Sequence, residues 1–437
     1  MNPGAMPSLS PQSEADPSSL ESMTGRETEQ QERPVVTRGE QMLALRKRRM
    51  AAAPAVLRGG FRPFFLGAAA WGIIAIAVWL CSFGGLFALP TVFAPVAWHR
   101  HEMLFGFVGS AMAGFLLTAI PNWTGRLPIA GKPLLSLFGL WAAARLAVLF
   151  SSLVGFWPAA IFDVGLFVVL GLMAAREVLA SKNRNMPIVA LVLAFALADA
   201  ADYGGSAGLI PGDLGWRAAI ALVVIMISMI GGRIIPSFTR NWMVKRSTSE
   251  RLPTQPQSLD LLVILSTAIS FLFWIASPGN RLTGVILVLA AAAQAIRLSR
   301  WGGARTASDP LVLVLHLGYA WIPVGLLLLG LSIAGVNIAE SAGVHALTAG
   351  AMTTMILAVM TRASLGHTAR DLKAAPLIVA AYISATAGAL VRVAVSLGLG
   401  PYGIMIDLAG LFWGAALLLF LIVYQPILWA PRLGEER

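Results

Sequence analysis

Five histidines are the residues in this chain best suited to carry chemistry: His99, His101, His316, His345 and His367. A neutral imidazole is the commonest metal ligand and a standard axial ligand of haem iron, so histidines inside apolar segments point to metal or haem chemistry. His99 and His101 lie two residues apart, and on one helix their side chains diverge by about 200°. Only one of them can serve a given small site. His99 shares its helix face with Met103, and His101 shares its face with Phe105. Glu102, the residue after His101, can orient an imidazole from the outer shell or pair with Arg100. A thioether beside an imidazole suits Cu(I), which makes Met103 with the spare histidine of the pair a candidate copper site. His316 and His367 fall away from the other three. They are weaker metal candidates, either as a second site of their own or as hydrogen-bonded structural residues.

The elements that must position these side chains are membrane-spanning helices. Of the 437 residues, 57% are hydrophobic and 12% are charged, against about a quarter charged in soluble domains. A water-soluble fold cannot hide so much apolar surface. Apolar runs fall at 64–83, 98–120, 133–151, 157–180, 187–203, 214–235, 258–276, 281–298, 310–332, 341–361, 375–396 and 404–427. Most approach the 20 or so residues that cross a bilayer as helix. The expected fold is all-α, with about twelve spans over residues 58–430 and a disordered polar and basic tail over 1–50 that has no signal peptide. Outside the runs, Lys and Arg gather in alternate gaps, with Arg281 the lone exception. The positive-inside rule then puts both termini in the cytoplasm. The formal charge of +11 is therefore a topology signal and does not imply nucleic acid, while membrane lipid is an expected partner. Cys81, the single cysteine, excludes an intrachain disulfide and a thiolate-rich metal site.

On that topology helices 2 and 10 both start on the outer side. His101 and His345 then sit at depths only about 1.5 Å apart, within reach of one metal if the helices are neighbours. Charged residues inside or at the ends of spans include Arg100, Arg145, Arg217, Arg233, Arg392, Asp163, Asp199 and Asp407. Such groups need pairing or water, and helix-to-helix pairs Arg145–Asp163 and Arg392–Asp407 are the expectation. Similar Arg- and Trp-rich ends recur on helices 2, 6 and 10, after Pro121, Pro236 and Thr361. Three four-helix units would space them this way.

Several blocks carry a family likeness. Gly60-Phe61-Arg62-Pro63-Phe64-Phe65-Leu66, His99-Arg100-His101-Glu102-Met103-Leu104-Phe105-Gly106, Gly114-Phe115-Leu116-Leu117-Thr118 leading to Asn122-Trp123-Thr124-Gly125, Gly232-Arg233, and Thr361-Arg362-Ala363-Ser364-Leu365-Gly366-His367-Thr368 resemble the signatures of the NnrS family. The resemblance spans 58–373. It implies a twelve-helix protein of the bacterial inner membrane that binds haem b and copper. It further implies a role in the nitric oxide and nitrosative-stress response, in the setting of denitrification, with nitric oxide or its iron and thiol adducts as ligands. More loosely, the architecture is similar to the catalytic subunit of haem–copper oxidases and nitric oxide reductases, where a helix-2 histidine is followed by Met at +4 and Phe at +6, as His99, Met103 and Phe105 are here. Their copper centre needs histidines in helices 6 and 7, and this sequence has none there. The expectation is thus a haem near the outer side between helices 2 and 10, ligated by His345 and by His99 or His101. Arg100 and Arg217 are candidate propionate partners, since Arg pairs carboxylates well. No reaction follows from these residues. The rival reading is a secondary transporter whose His, Arg and Asp are structural or line a substrate path.

Overall fold

The computed structural model describes residues 40–41, 44–45, 48 and 51–435, apart from 247–251 and 254–256. The expected disordered tail over 1–50 and the basic cluster at 46–49 lie largely outside the described residues. From residue 48 onward the chain forms one compact unit. It contains twelve helices long and apolar enough to span a bilayer, and no strand among the described residues. In chain order these are α1 (Phe61–Phe83), α2 (Pro95–Thr124), α3 (Lys132–Leu149), α4 (Phe156–Ala180), α5 (Met186–Ser206), α6 (Leu214–Lys245), α7 (Ser258–Ala276), α8 (Arg281–Ser299), α9 (Pro310–Ala334), α10 (Glu340–His367), α11 (Pro376–Ser396) and α12 (Tyr402–Trp429).

Helix boundaries follow local chemistry. Proline occupies the first turn of α2, α3, α5, α9 and α11, where its fixed φ is preorganised and its missing N–H costs nothing. Glycines in the left-handed region, Gly125 (φ 68°) and Gly335 (φ 104°), close α2 and α9. Three helices outrun their apolar segments. Helix α6 continues past residue 235 to Lys245, with Pro236 inside it, and α10 continues past 361 so that His367 is its last residue rather than part of a loop. Helix α2 likewise gains a turn at each end.

Helix contacts recur at intervals of four. Helix α1 packs on α2, α5 on α6 and α9 on α10; α3 packs on α4, α7 on α8 and α11 on α12; and α4 meets α5, α8 meets α9 and α12 meets α1. Helices α2, α6 and α10 touch one another. A two-halves arrangement of six and six helices does not produce this pattern. The central position of α2 and α10 is visible in their burial: 83% and 67% of their apolar windows are enclosed, against 33% for α7 and α12.

Helices α2 and α10 share a further feature. Each switches to π-helix one residue after a histidine, over Glu102–Val108 following His101 and over Ala346–Met352 following His345. A π segment widens the helix and re-aims the side chains around it, which is why such segments concentrate at functional sites. Close approach by α9 supports the second one. A Cβ at Gly343 would lie 2.5 Å from the Leu329 backbone nitrogen, so only glycine allows α9 and α10 to meet there.

Candidate functional site

The N-terminal parts of α2 and α10 face a shared cavity of about 340 Å³, closed by α1, α6, α11 and α12. From α2 come His99, Arg100 and Met103; from α10 comes His345; and from α11 comes Arg392. Trp79 and Trp413 supply indole walls, with Trp413 held by a 2.9 Å hydrogen bond from its Nε1 to Thr353 Oγ1.

The two cavity histidines are differently prepared. His345 Nδ1 lies 2.7 Å from the Ser341 carbonyl oxygen, one turn back on its own helix. A carbonyl only accepts, so Nδ1 carries the proton and Nε2 keeps its lone pair free. A backbone carbonyl fixing a metal-ligating histidine in this way is a common outer-shell arrangement. His99 stacks on Trp79, ring centroids 4.1 Å apart, and its Nδ1 is buried with no hydrogen-bond partner. An orphaned buried imidazole nitrogen costs free energy unless a ligand satisfies it.

Charged groups frame the cavity. Arg392 donates to Ser396 Oγ at 2.6 Å, and Asp407, its expected partner, is exposed. The Arg392–Asp407 pair does not form, because α12 turns Asp407 away. Arg100 reaches toward Asp202 at 3.6 Å and Asp213 at 3.8 Å, and its guanidinium lies 5.0 Å from the centre of Trp216. Arg217 is close by but does not line the cavity. It pairs with Asp213 at 3.4 Å and Glu340 at 3.8 Å, over Trp216 and Trp274. Of the two arginines expected to meet haem carboxylates, only Arg100 is on the wall, and Arg392 is the one that sequence reasoning missed.

His101 points away from this cavity. Its ring is fully buried between two carboxylates: Nε2 is 2.7 Å from Asp163 Oδ2 of α4, and Nδ1 is 2.9 Å from Asp202 Oδ2 of α5. Phe93, Phe105 and Tyr203 surround it, with ring centroids 5.0–5.4 Å away. The Arg145–Asp163 pair expected from sequence is present, and Arg145 also donates to Glu102 Oε2 at 2.8 Å. Glu102 therefore serves Arg145 and the Trp71 indole, which donates to the same oxygen at 2.5 Å. It neither orients an imidazole nor pairs with Arg100. Of the two helix-2 histidines, His99 shares the cavity with Met103, while His101 faces α4 and α5.

The remaining histidines stay apart. His316 Nε2 is 2.8 Å from Thr239 Oγ1 of α6, whereas the exposed His367 packs against Phe61 of α1, ring centroids 5.5 Å apart. They do not form a joint second site.

Twelve apolar helices around a histidine-lined cavity and a buried charge cluster define a multi-pass helical membrane protein. Residues 55–432 match the family model described as NnrS protein. The chain belongs to the NnrS family. No curated protein matches it.

Proposed function

We propose that this chain is a haem-binding protein of the bacterial cytoplasmic membrane acting in the nitric oxide response, with haem b in the α2–α10 cavity, where His99 and His345 would hold its iron. The observation that carries this reading is that the two imidazoles, 246 positions apart in sequence by their numbers, line one cavity from two central helices. The lining fits the group. The cavity is within the roughly 300–1,000 Å³ range of ligand pockets, and His345 keeps Nε2 free. His99 has an orphaned ring nitrogen, and Arg100 and Arg392 offer guanidiniums to two carboxylates. When bound, haem supplies a one-electron redox centre. The chain's own part is to fix the imidazoles, neutralise the propionates and shield the site with the indoles of Trp79 and Trp413.

An absorption spectrum of the purified full-length protein tests this. We expect a Soret band with reducible α and β bands of a low-spin haem. His99→Ala and His345→Ala should each abolish the low-spin signal, while His101→Gln, His316→Ala and His367→Ala should keep it. A colourless protein, or an unchanged spectrum in His345→Ala, overturns the proposal. Colourless protein would favour transport instead.

A further inference from the structure

We infer that His101, Asp163 and Asp199 form a second, separate site for a divalent first-row metal ion with nitrogen and oxygen preference, of the Mn²⁺, Fe²⁺ or Zn²⁺ class. One ligand atom from each residue lies within 4.8 Å of the other two, and all three residues are buried. Asp199 is the decisive group. It is 0% exposed, and neither of its carboxylate oxygens has a hydrogen-bond partner. A carboxylate in that position is strongly unfavourable without a cation, and buried charges are found paired or coordinating metals.

The charges around it argue the same way. Glu102, Asp163, Asp199 and Asp202 face Arg145, the His101 imidazole between Asp163 and Asp202 and, at the edge, Arg100, so the carboxylates outnumber the cationic partners even with His101 protonated. A divalent ion closes that deficit. On its Nδ1 side His101 is held as a metal-binding imidazole is. Asp202 Oδ2, 2.9 Å from Nδ1, accepts the Nδ1–H, as the carboxylate of a carboxylate–histidine–metal arrangement does, while Nε2–H donates to Asp163 Oδ2 at 2.7 Å; a bound ion would take the place of that Nε2 proton. Arg145 holds the other oxygen of Asp163, and Tyr203 donates to Oδ2 of Asp163 at 3.4 Å. Two carboxylates and one imidazole, with no sulfur, favour the harder divalent ions over Cu(I).

Asp199→Asn is the clean test, because Asp199 makes no hydrogen bond whose loss could unfold the protein. Full-length protein in detergent is stripped with chelator and titrated with Mn²⁺, Zn²⁺ or Co²⁺, following Co²⁺ by its ligand-field absorption. The wild type should bind tightly and stoichiometrically. Asp199→Asn should weaken binding at least about 100-fold, and Asp202→Asn, acting from the outer shell, about 10- to 100-fold. His99→Ala and His345→Ala should bind the ion as the wild type does. Absence of divalent binding in the wild type, or equal binding by Asp199→Asn, overturns the proposal. Haem is read separately by the Soret band, so failure of the haem reading leaves this titration decisive.

Discussion

Arg145 is the residue whose removal should cost most. It is 1% exposed in its side chain and faces Glu102 and Asp163, both 0% exposed. Replacing it with Met fills similar volume but leaves two buried carboxylates short of their cation. Glu102 then keeps only the Trp71 indole, and Asp163 keeps His101 and Tyr203. Breaking a buried ion pair by removing one partner typically costs about 3–5 kcal/mol, because the surviving charge stays desolvated. The pair of Arg126 and Glu177 provides the internal comparison. Its side chains are 37% and 21% exposed, and pairs of that kind contribute about 0.2–1 kcal/mol. Unfolding in mixed micelles, followed by helicity, should therefore separate Arg145→Met from Arg126→Met by about 2–4 kcal/mol. Adding Glu102→Leu to Arg145→Met removes one of the stranded charges, so the double variant should lose clearly less than the sum of the single losses. Equal costs for Arg145→Met and Arg126→Met, or strict additivity in the cycle, would refute the reasoning.

Reporter fusions at Ala88, Gly208, Gly335 and Leu399, which follow α1, α5, α9 and α11, should all read outside the cytoplasm. A cytoplasmic signal at any of them breaks the orientation inferred from the Lys and Arg distribution. Gly343→Ala should destabilise the protein by about 1–3 kcal/mol through overpacking, since the added methyl meets the Leu329 backbone. It should also weaken haem retention, because His345 lies two residues on. An unaffected melting curve and Soret band would show that α9 and α10 can part without disturbing the site.

Spans were legible in the sequence because crossing a bilayer demands a run of apolar side chains, and twelve such runs map onto α1 to α12. Helix ends were less so. Hydropathy reports contact with lipid, whereas a helix is a backbone structure that continues wherever its hydrogen bonds are kept. The stretch Pro236 to Lys245 thus remains helical in α6 beyond the apolar run. Pairing of charges was legible in one case and misleading in the other, for a related reason. Arg145 and Asp163 lie on adjacent helices and both face inward. Arg392 and Asp407 also lie on adjacent helices, yet Asp407 is on an exposed face. Sequence proximity brings helices together, but the face decides whether charges meet.

The same distinction governs the histidines. Depth along the helix matched His101 with His345, and the π segments reinforce that register, since each begins directly after one of these residues. The cavity nevertheless joins His345 to His99. One residue along a helix changes depth by about 1.5 Å and direction by about 100°, so direction discriminates between neighbouring positions far more sharply than depth does. What set the direction was unreadable from helix 2 alone. Asp163 and Asp202, about 60 and 100 residues downstream of His101 in the chain, hold that ring on the α4–α5 side and so leave His99 to the cavity. If those carboxylates fix the rotation of α2, the two sites are coupled through one helix. Neutralising Asp163 and Asp202 together should then broaden or split the haem signal even though neither residue touches the cavity.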